Sequence, residues 1–138
     1  MRIFALSVVL LTTIWNVGGP AEEHQMTLEE TRQFYASTNR EYFHGSLPKD
    51  VDIEFGSNDF ISLDNILCHA LGNTNKLGNR FVITIDPKWA PASVTKEETM
   101  LHEECHVATW DLEKDHHGKK WQSCMHDLYI QGALDDLL

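Results

Sequence analysis

Met100-Leu101-His102-Glu103-Glu104-Cys105-His106-Val107-Ala108-Thr109-Trp110, MLHEECHVATW, sets two histidines four residues apart with a glutamate directly after the first. On a helix, residues four apart share one face a turn apart, so two such imidazoles can converge on one cation at about 2.0–2.1 Å. Glu103 then stands beside that cation rather than on it, where a carboxylate can take a proton from water. Two imidazoles leave such a site incomplete. The rest of the chain is therefore read for a third ligand and for a fold that delivers it.

The flanking residues support a helix. Thr95-Lys96-Glu97-Glu98 reads as a capping box that opens it. Val94, Leu101, Cys105, Ala108 and Leu112 fall in a narrow stripe at about 100° per residue, with His102 and His106 on a separate face. The expectation is a helix that buries one side and shows both histidines to a cleft. A surface helix carrying two histidines by accident is the bland alternative. The intervening glutamate and the free polar face argue against it.

Candidate third ligands lie downstream. A metzincin needs glycine at position 109 and histidine at 112, where Thr109 and Leu112 stand. Glu113 lies about 10 Å beyond His106 along a continuing helix, out of reach of the same ion. A glutamate on the next helix is poorly served, since that segment carries Asp127, Asp135 and Asp136 but no Glu. Asp115-His116-His117-Gly118 remains, beyond the end of the helix. A chain reversal there could return a histidine to the cleft, and Gly118 permits a tight approach at the start of the following helix.

Around this centre the chain reads as one domain of 138 residues, 42% apolar and 23% charged. A formal charge of −10 without any Lys/Arg run disfavours intrinsic nucleic-acid binding. Residues 1–21 hold a short basic start, the uncharged run IFALSVVLLTTIW and small residues. That pattern predicts a secretory signal peptide, too short for a stable membrane span, and leaves residues 22–138 as the mature domain. The location that follows is secreted or periplasmic, or cytoplasmic if the apolar run is instead a buried element.

Thr27-Leu28-Glu29-Glu30 is another capping box, predicting a helix to about Phe43 that ends at Gly45-Ser46-Leu47-Pro48. Val51, Ile53 and Phe55 alternate as a strand. Ile66–Leu71 and Arg80–Ile85 read as two more strands, joined as a hairpin through the turn formers GNTNKLGN. A last helix from about Lys119 buries Trp121, Cys124, Met125 and Leu128. Cys105 and Cys124 then face each other, and two thiols packed as small hydrophobes is the reading preferred to a disulfide. Cys68-His69 on a strand is a weak metal pair, because adjacent residues face opposite sides. His24, His44 and His126 read as solvent-facing, Trp110 and Trp121 as core near the motif, and Trp89 as a cap on the core or a wall of the cleft.

HEECH, followed by DHHG and a tryptophan three residues after the glycine, resembles the SprT-like metalloprotease family. The lead-in Asn39-Arg40-Glu41-Tyr42-Phe43-His44-Gly45-Ser46-Leu47-Pro48 is similar to that family's N-x-x-x-F-x-G-x-L-P, and the likeness runs from about Thr27 to Leu128. The resemblance implies an α+β, zincin-like domain: N-terminal helix, small three-stranded sheet, HExxH helix and C-terminal helix. It implies His102, His106 and His117 as ligands of one zinc ion per chain, Glu103 as general base and a polypeptide substrate. His117 is chosen over His116 because it directly precedes the glycine. Intracellular members act on proteins bound to DNA, many with a zinc ribbon or basic tail. This acidic chain has no CxxC pair, so that role does not carry over with the fold. The classes left open are an exported peptidase, a zinc-bound but non-proteolytic cell-envelope module, and a cytosolic protease of DNA-bound proteins.

Overall fold

The computed structural model describes residues 24–137, so the apolar run read as an export signal lies outside the described residues. Helix α1 (Leu28–Tyr42) opens on the expected capping box. Glu30 N–H donates to Thr27 Oγ1 at 3.2 Å, and Thr27 N–H donates to Glu30 Oε2 at 2.7 Å. Two otherwise orphaned donors are thereby satisfied. The helix stops where His44 and Gly45 take φ of 55° and 72°. Asn39 then clamps the corner, its amide donating to the Leu47 carbonyl at 3.1 Å and its Oδ1 accepting Leu47 N–H at 3.0 Å. Tyr35 adds a hydroxyl bond to the Pro48 carbonyl at 2.7 Å. The N-x-x-x-F-x-G-x-L-P stretch is thus a hydrogen-bonded corner that feeds strand β1 (Asp52–Phe55).

The main sheet runs β1-β5-β4, with β5 (Arg80–Ile85) parallel to β1 and antiparallel to the edge strand β4 (Gly72–Leu77). A separate antiparallel pair is formed by β2 (Asp59–Ile61) and β3 (Leu67–His69). The three-stranded sheet is as expected, but the hairpin within it is displaced. GNTNKL is the strand and only Gly78-Asn79 is the turn, with Gly78 at φ 64°. Phe81, Ile83 and Ile85 on β5 all point into the core, and their backbone needs a partner on each side. Pairing with β5 overrides the turn preference of the asparagines. The apolar run 66–71 is instead outside the core, with Ile66 and Leu67 59% and 55% exposed.

Helix α2 (Ser93–Thr109) carries the two motif histidines and departs from its reading in three ways. It starts before Thr95, at Ser93, with no side-chain cap. The Ser93 hydroxyl instead accepts Met26 N–H at 2.9 Å and donates to the His24 carbonyl, fastening the N-terminal segment. The helix is also buried on several faces rather than along one stripe. Met100 and Val107 join Tyr35, Leu47, Ile53, Phe81, Ile83 and Ile85, while Leu101 and Cys105 join Leu128 of helix α3 (Lys119–Ile130). Leu112 falls past its end and is 61% exposed. A helix packed between α1, the sheet and α3 is covered from three sides. Lys96 and Glu104 are therefore buried too.

α3 begins at Lys119 and packs Trp121, Cys124 and Met125 around Leu128, as read. Cys105 and Cys124 form a disulfide, Cα to Cα 5.7 Å, rather than remaining as two thiols. The buried faces bring them within bridging range, which sequence spacing does not reveal. Cys68 is a free thiol.

Glu104 pairs with Thr38 of α1, and its Oε2 has no partner among the described residues. The Thr38 hydroxyl also lies 2.9 Å from the Phe34 carbonyl. It owns one hydrogen, so if the helix carbonyl takes it, Glu104 must be the donor, in its acid form. Burial favours that form, pushing the carboxyl from 4.5 to about 8 against the smaller opposing effect of the Thr38 bond. A carboxyl raised in the folded state contributes stability that is fully present below its unfolded value and lost as pH rises through about 8. Glu104→Gln keeps shape and donor. Urea unfolding should therefore show its stability relative to wild type improving from pH 5 to pH 9, and a parallel pH dependence would refute the assignment.

Candidate metal centre

The core fixes α2, and α2 fixes His102 and His106. The chain then reverses over residues 110–118. Leu112 N–H bonds the Thr109 carbonyl at 3.0 Å, His117 N–H bonds Asp115 Oδ1 at 3.0 Å, and Gly118 N–H bonds the Asp115 carbonyl at 2.9 Å. Glu113, rejected above as a ligand, closes the loop onto α3. Its Oε1 accepts the N–H groups of Lys120 at 2.6 Å and Trp121 at 3.1 Å, filling the role of a helix cap. A Cβ on Gly118 would come within 2.6 Å of Glu113 Oε2, so the glycine after His117 is what lets this turn close.

The reversal brings His117 back over α2. Nε2 of His102 lies 3.1 Å from Nε2 of His106 and 3.2 Å from Nε2 of His117. Ligand atoms of all three lie within 4.8 Å of one another, the one such cluster among the described residues. Three nitrogens each about 2.05 Å from a tetrahedral zinc stand about 3.3 Å apart, so the donor set fits that ion. Burial, with neighbouring imidazoles adding to it, lowers His102 and His106 to about 4. Both are then neutral at physiological pH, the form that binds metal. His116 turns away to lie on Trp110, ring centroids 4.5 Å apart.

Glu103 sits beside the cluster, 3% exposed, with Oε2 accepting the Thr74 hydroxyl at 2.7 Å. Burial raises its carboxyl to about 7, the Thr74 bond opposing. A carboxyl poised near neutrality suits a proton acceptor. β4 presses on it closely: a Cβ on Gly72 would lie 2.7 Å from Glu103 Oε1. The sequence alone presents GNTNKL as a turn, which hides Gly72 and Thr74 as site residues. Trp121 was read only as core. Its indole N–H donates to the His102 carbonyl at 3.3 Å, and its ring lies 4.6, 5.5 and 4.7 Å from His102, His106 and His117. It forms the wall behind all three. The fixed offset of this tryptophan from Gly118 was the available signal.

The three histidines, Glu103, Gly72 and Thr74 line a cleft of about 650 Å³ that also takes in Leu71, Asn73 and Met125. His116 and Trp110 also border it, and the remaining candidates fall outside. His69 bonds Asp59 at 2.5 Å and stacks on Trp89 at 4.4 Å, so Cys68-His69 is no metal pair and Trp89 neither caps the core nor lines the cleft. His24, His44 and His126 are exposed.

Comparison with known proteins agrees with this geometry. The SprT-like family model matches residues 31–134, a span that holds the Asn39 corner, β4, α2 and His117. No curated protein matches the chain.

The purified protein should bind one zinc ion per chain. Loss of an outer partner alone costs a metal site about 10–100-fold in affinity. His117→Ala should therefore weaken zinc by more than about 100-fold, and His116→Ala by less than about threefold. Competition with a chromophoric chelator measures both, and the reverse order would transfer the ligand role to His116.

Proposed function

The chain belongs to the SprT-like family, and from that premise we propose that it is a zinc-dependent metallopeptidase with Glu103 as general base. The observation that carries the reading is the buried carboxyl set beside three converging imidazole nitrogens, against an edge strand that borders an open cleft. Zinc held by His102, His106 and His117 would supply Lewis acidity to water and to the scissile carbonyl.

This chain's residues supply the remainder. Glu103 takes the proton of the attacking water and passes it to the departing amine, two transfers that favour a value near neutrality. Thr74 donates to Glu103 Oε2 and holds the carboxyl in place between those transfers. β4 is paired on one side only, and its outer backbone groups can receive an extended substrate as an added strand. Gly72, Asn73 and Thr74 border the cleft along that edge. Trp121 packs behind the histidines, and Glu113 holds the loop that delivers His117.

The substrate is a polypeptide rather than a nucleic-acid-bound complex, a reading supported by the net charge of −10. The reading of residues 1–21 as an export signal gains a second support in the Cys105–Cys124 disulfide, since such bridges persist in oxidising compartments. We place the mature domain, residues 22–138, outside the cytoplasm.

Glu103→Gln should keep its zinc and lose at least about 100-fold in kcat on denatured casein, the scale of general-base catalysis. Cleavage that persists in the zinc-loaded variant would sink the peptidase reading. Residues 1–26 fused to a reporter that folds only after export should give active reporter. Activity confined to a cytosolic reporter would overturn the location.

A further inference from the structure

The three histidines are held by unequal means. His102 and His106 ride on α2, ten of whose residues are buried. His117 stands in a loop whose residues Asp111, Leu112, Lys114, Asp115 and His116 are all exposed. The helix that follows it has one buried residue, Leu128. Burial of apolar surface therefore fixes two ligands firmly and the third weakly. Besides Leu128 and the partly buried Trp121, Cys124 and Met125 around it, α3 is tied to α2 by one polar link, the Trp121 bond to the His102 carbonyl, and one covalent link, while the Glu113 cap ties its first turn to the loop.

We propose that the Cys105–Cys124 disulfide is a positioning element of the metal centre, holding His117 against the His102–His106 pair. The placement is specific. Cys105 directly precedes His106, and Cys124 lies in the second turn of α3, seven residues beyond His117. The bridge spans a sequence separation of 19, and the loop it closes contains His106, Glu113, His117 and Trp121. It restricts a segment that has less core of its own than α2. Without it, α3 keeps its helix but samples more positions, and His117 occupies the ligating one for a smaller fraction of the time. Apparent metal affinity falls by that fraction.

The inference rests on the three-histidine metal reading and not on proteolysis, so its test reads zinc affinity alone. Zinc dissociation constants are measured by chelator competition for wild type, Cys105→Ala/Cys124→Ala, His117→Ala and the triple variant, each shown folded by circular dichroism. Removal of the bridge should weaken zinc about fivefold or more when His117 is present and leave the His117→Ala protein unchanged. A bracing role confined to the core would lower thermal stability and leave this difference at zero. An effect below about fivefold, or one of equal size in both backgrounds, overturns the proposal.

Should the cysteine variant fail to fold, wild-type and His117→Ala proteins treated with a phosphine give the same comparison. There the S–S bond breaks to two thiols, and the phosphine becomes its oxide with oxygen and protons from water. Wild-type protein that binds no zinc would defeat the metal reading itself, an outcome separate from these.

Discussion

Enclosure of α2 on three sides is the constraint from which the remaining features follow. Its apolar residues serve two clusters, one toward α1 and the sheet, the other toward α3. A helix so placed has little room for charge, yet this one carries Lys96, Glu103, Glu104, His102 and His106. Each has an answer that avoids a bare buried ion. Lys96 donates to the Pro91 carbonyl at 2.7 Å, Glu104 is paired with Thr38, and Glu103 is paired with Thr74. The two histidines stay neutral. A structural need, keeping charge out of the core, thus yields metal-ready imidazoles and a carboxyl near neutrality.

Legibility of the fold divided along the same line. Features written in contiguous residues match the structure: the Thr27 capping box, the end of α1 near Phe43, the start of α3 at Lys119 and the alternation of β1. Features decided by a distant partner were not. β4 is polar and rich in asparagine, and nothing local marks it as a strand. It is one because β5 requires a neighbour on that side. The run 66–71 is apolar and was read into the main sheet, yet it pairs with β2 at the periphery. Thr95 begins a good capping box, but the helix is under way by then because Ser93 fastens the N-terminal segment.

The candidate site was legible to a similar depth. His102, Glu103 and His106 follow from helical spacing. His117 required the resemblance, because ten intervening residues do not fix the path of a loop. Glycine after it leaves room for the Glu113 carboxylate, which occupies the space where a Cβ would stand. Glu113 stands outside the histidine cluster and caps α3, a role that is invisible without knowing where that helix begins. Thr74 and Gly72 stayed hidden behind the misplaced hairpin.

Those two residues also explain why an edge strand beside such a cleft is as polar as β4. A strand that bordered the cleft with large apolar side chains would gain burial against α2 but leave Glu103 unpartnered and force the carboxyl outward. Thr74 supplies the one donor that Glu103 Oε2 receives, and Gly72 leaves the space that Oε1 occupies. The residues alternating with them meet solvent on the other face. There Asn73 and Asn75 give the edge a polar outer face. Low strand propensity is the consequence of serving a buried carboxyl on one face and a free edge on the other. The feature that misled the sequence reading is thus tied to the placement of the general base.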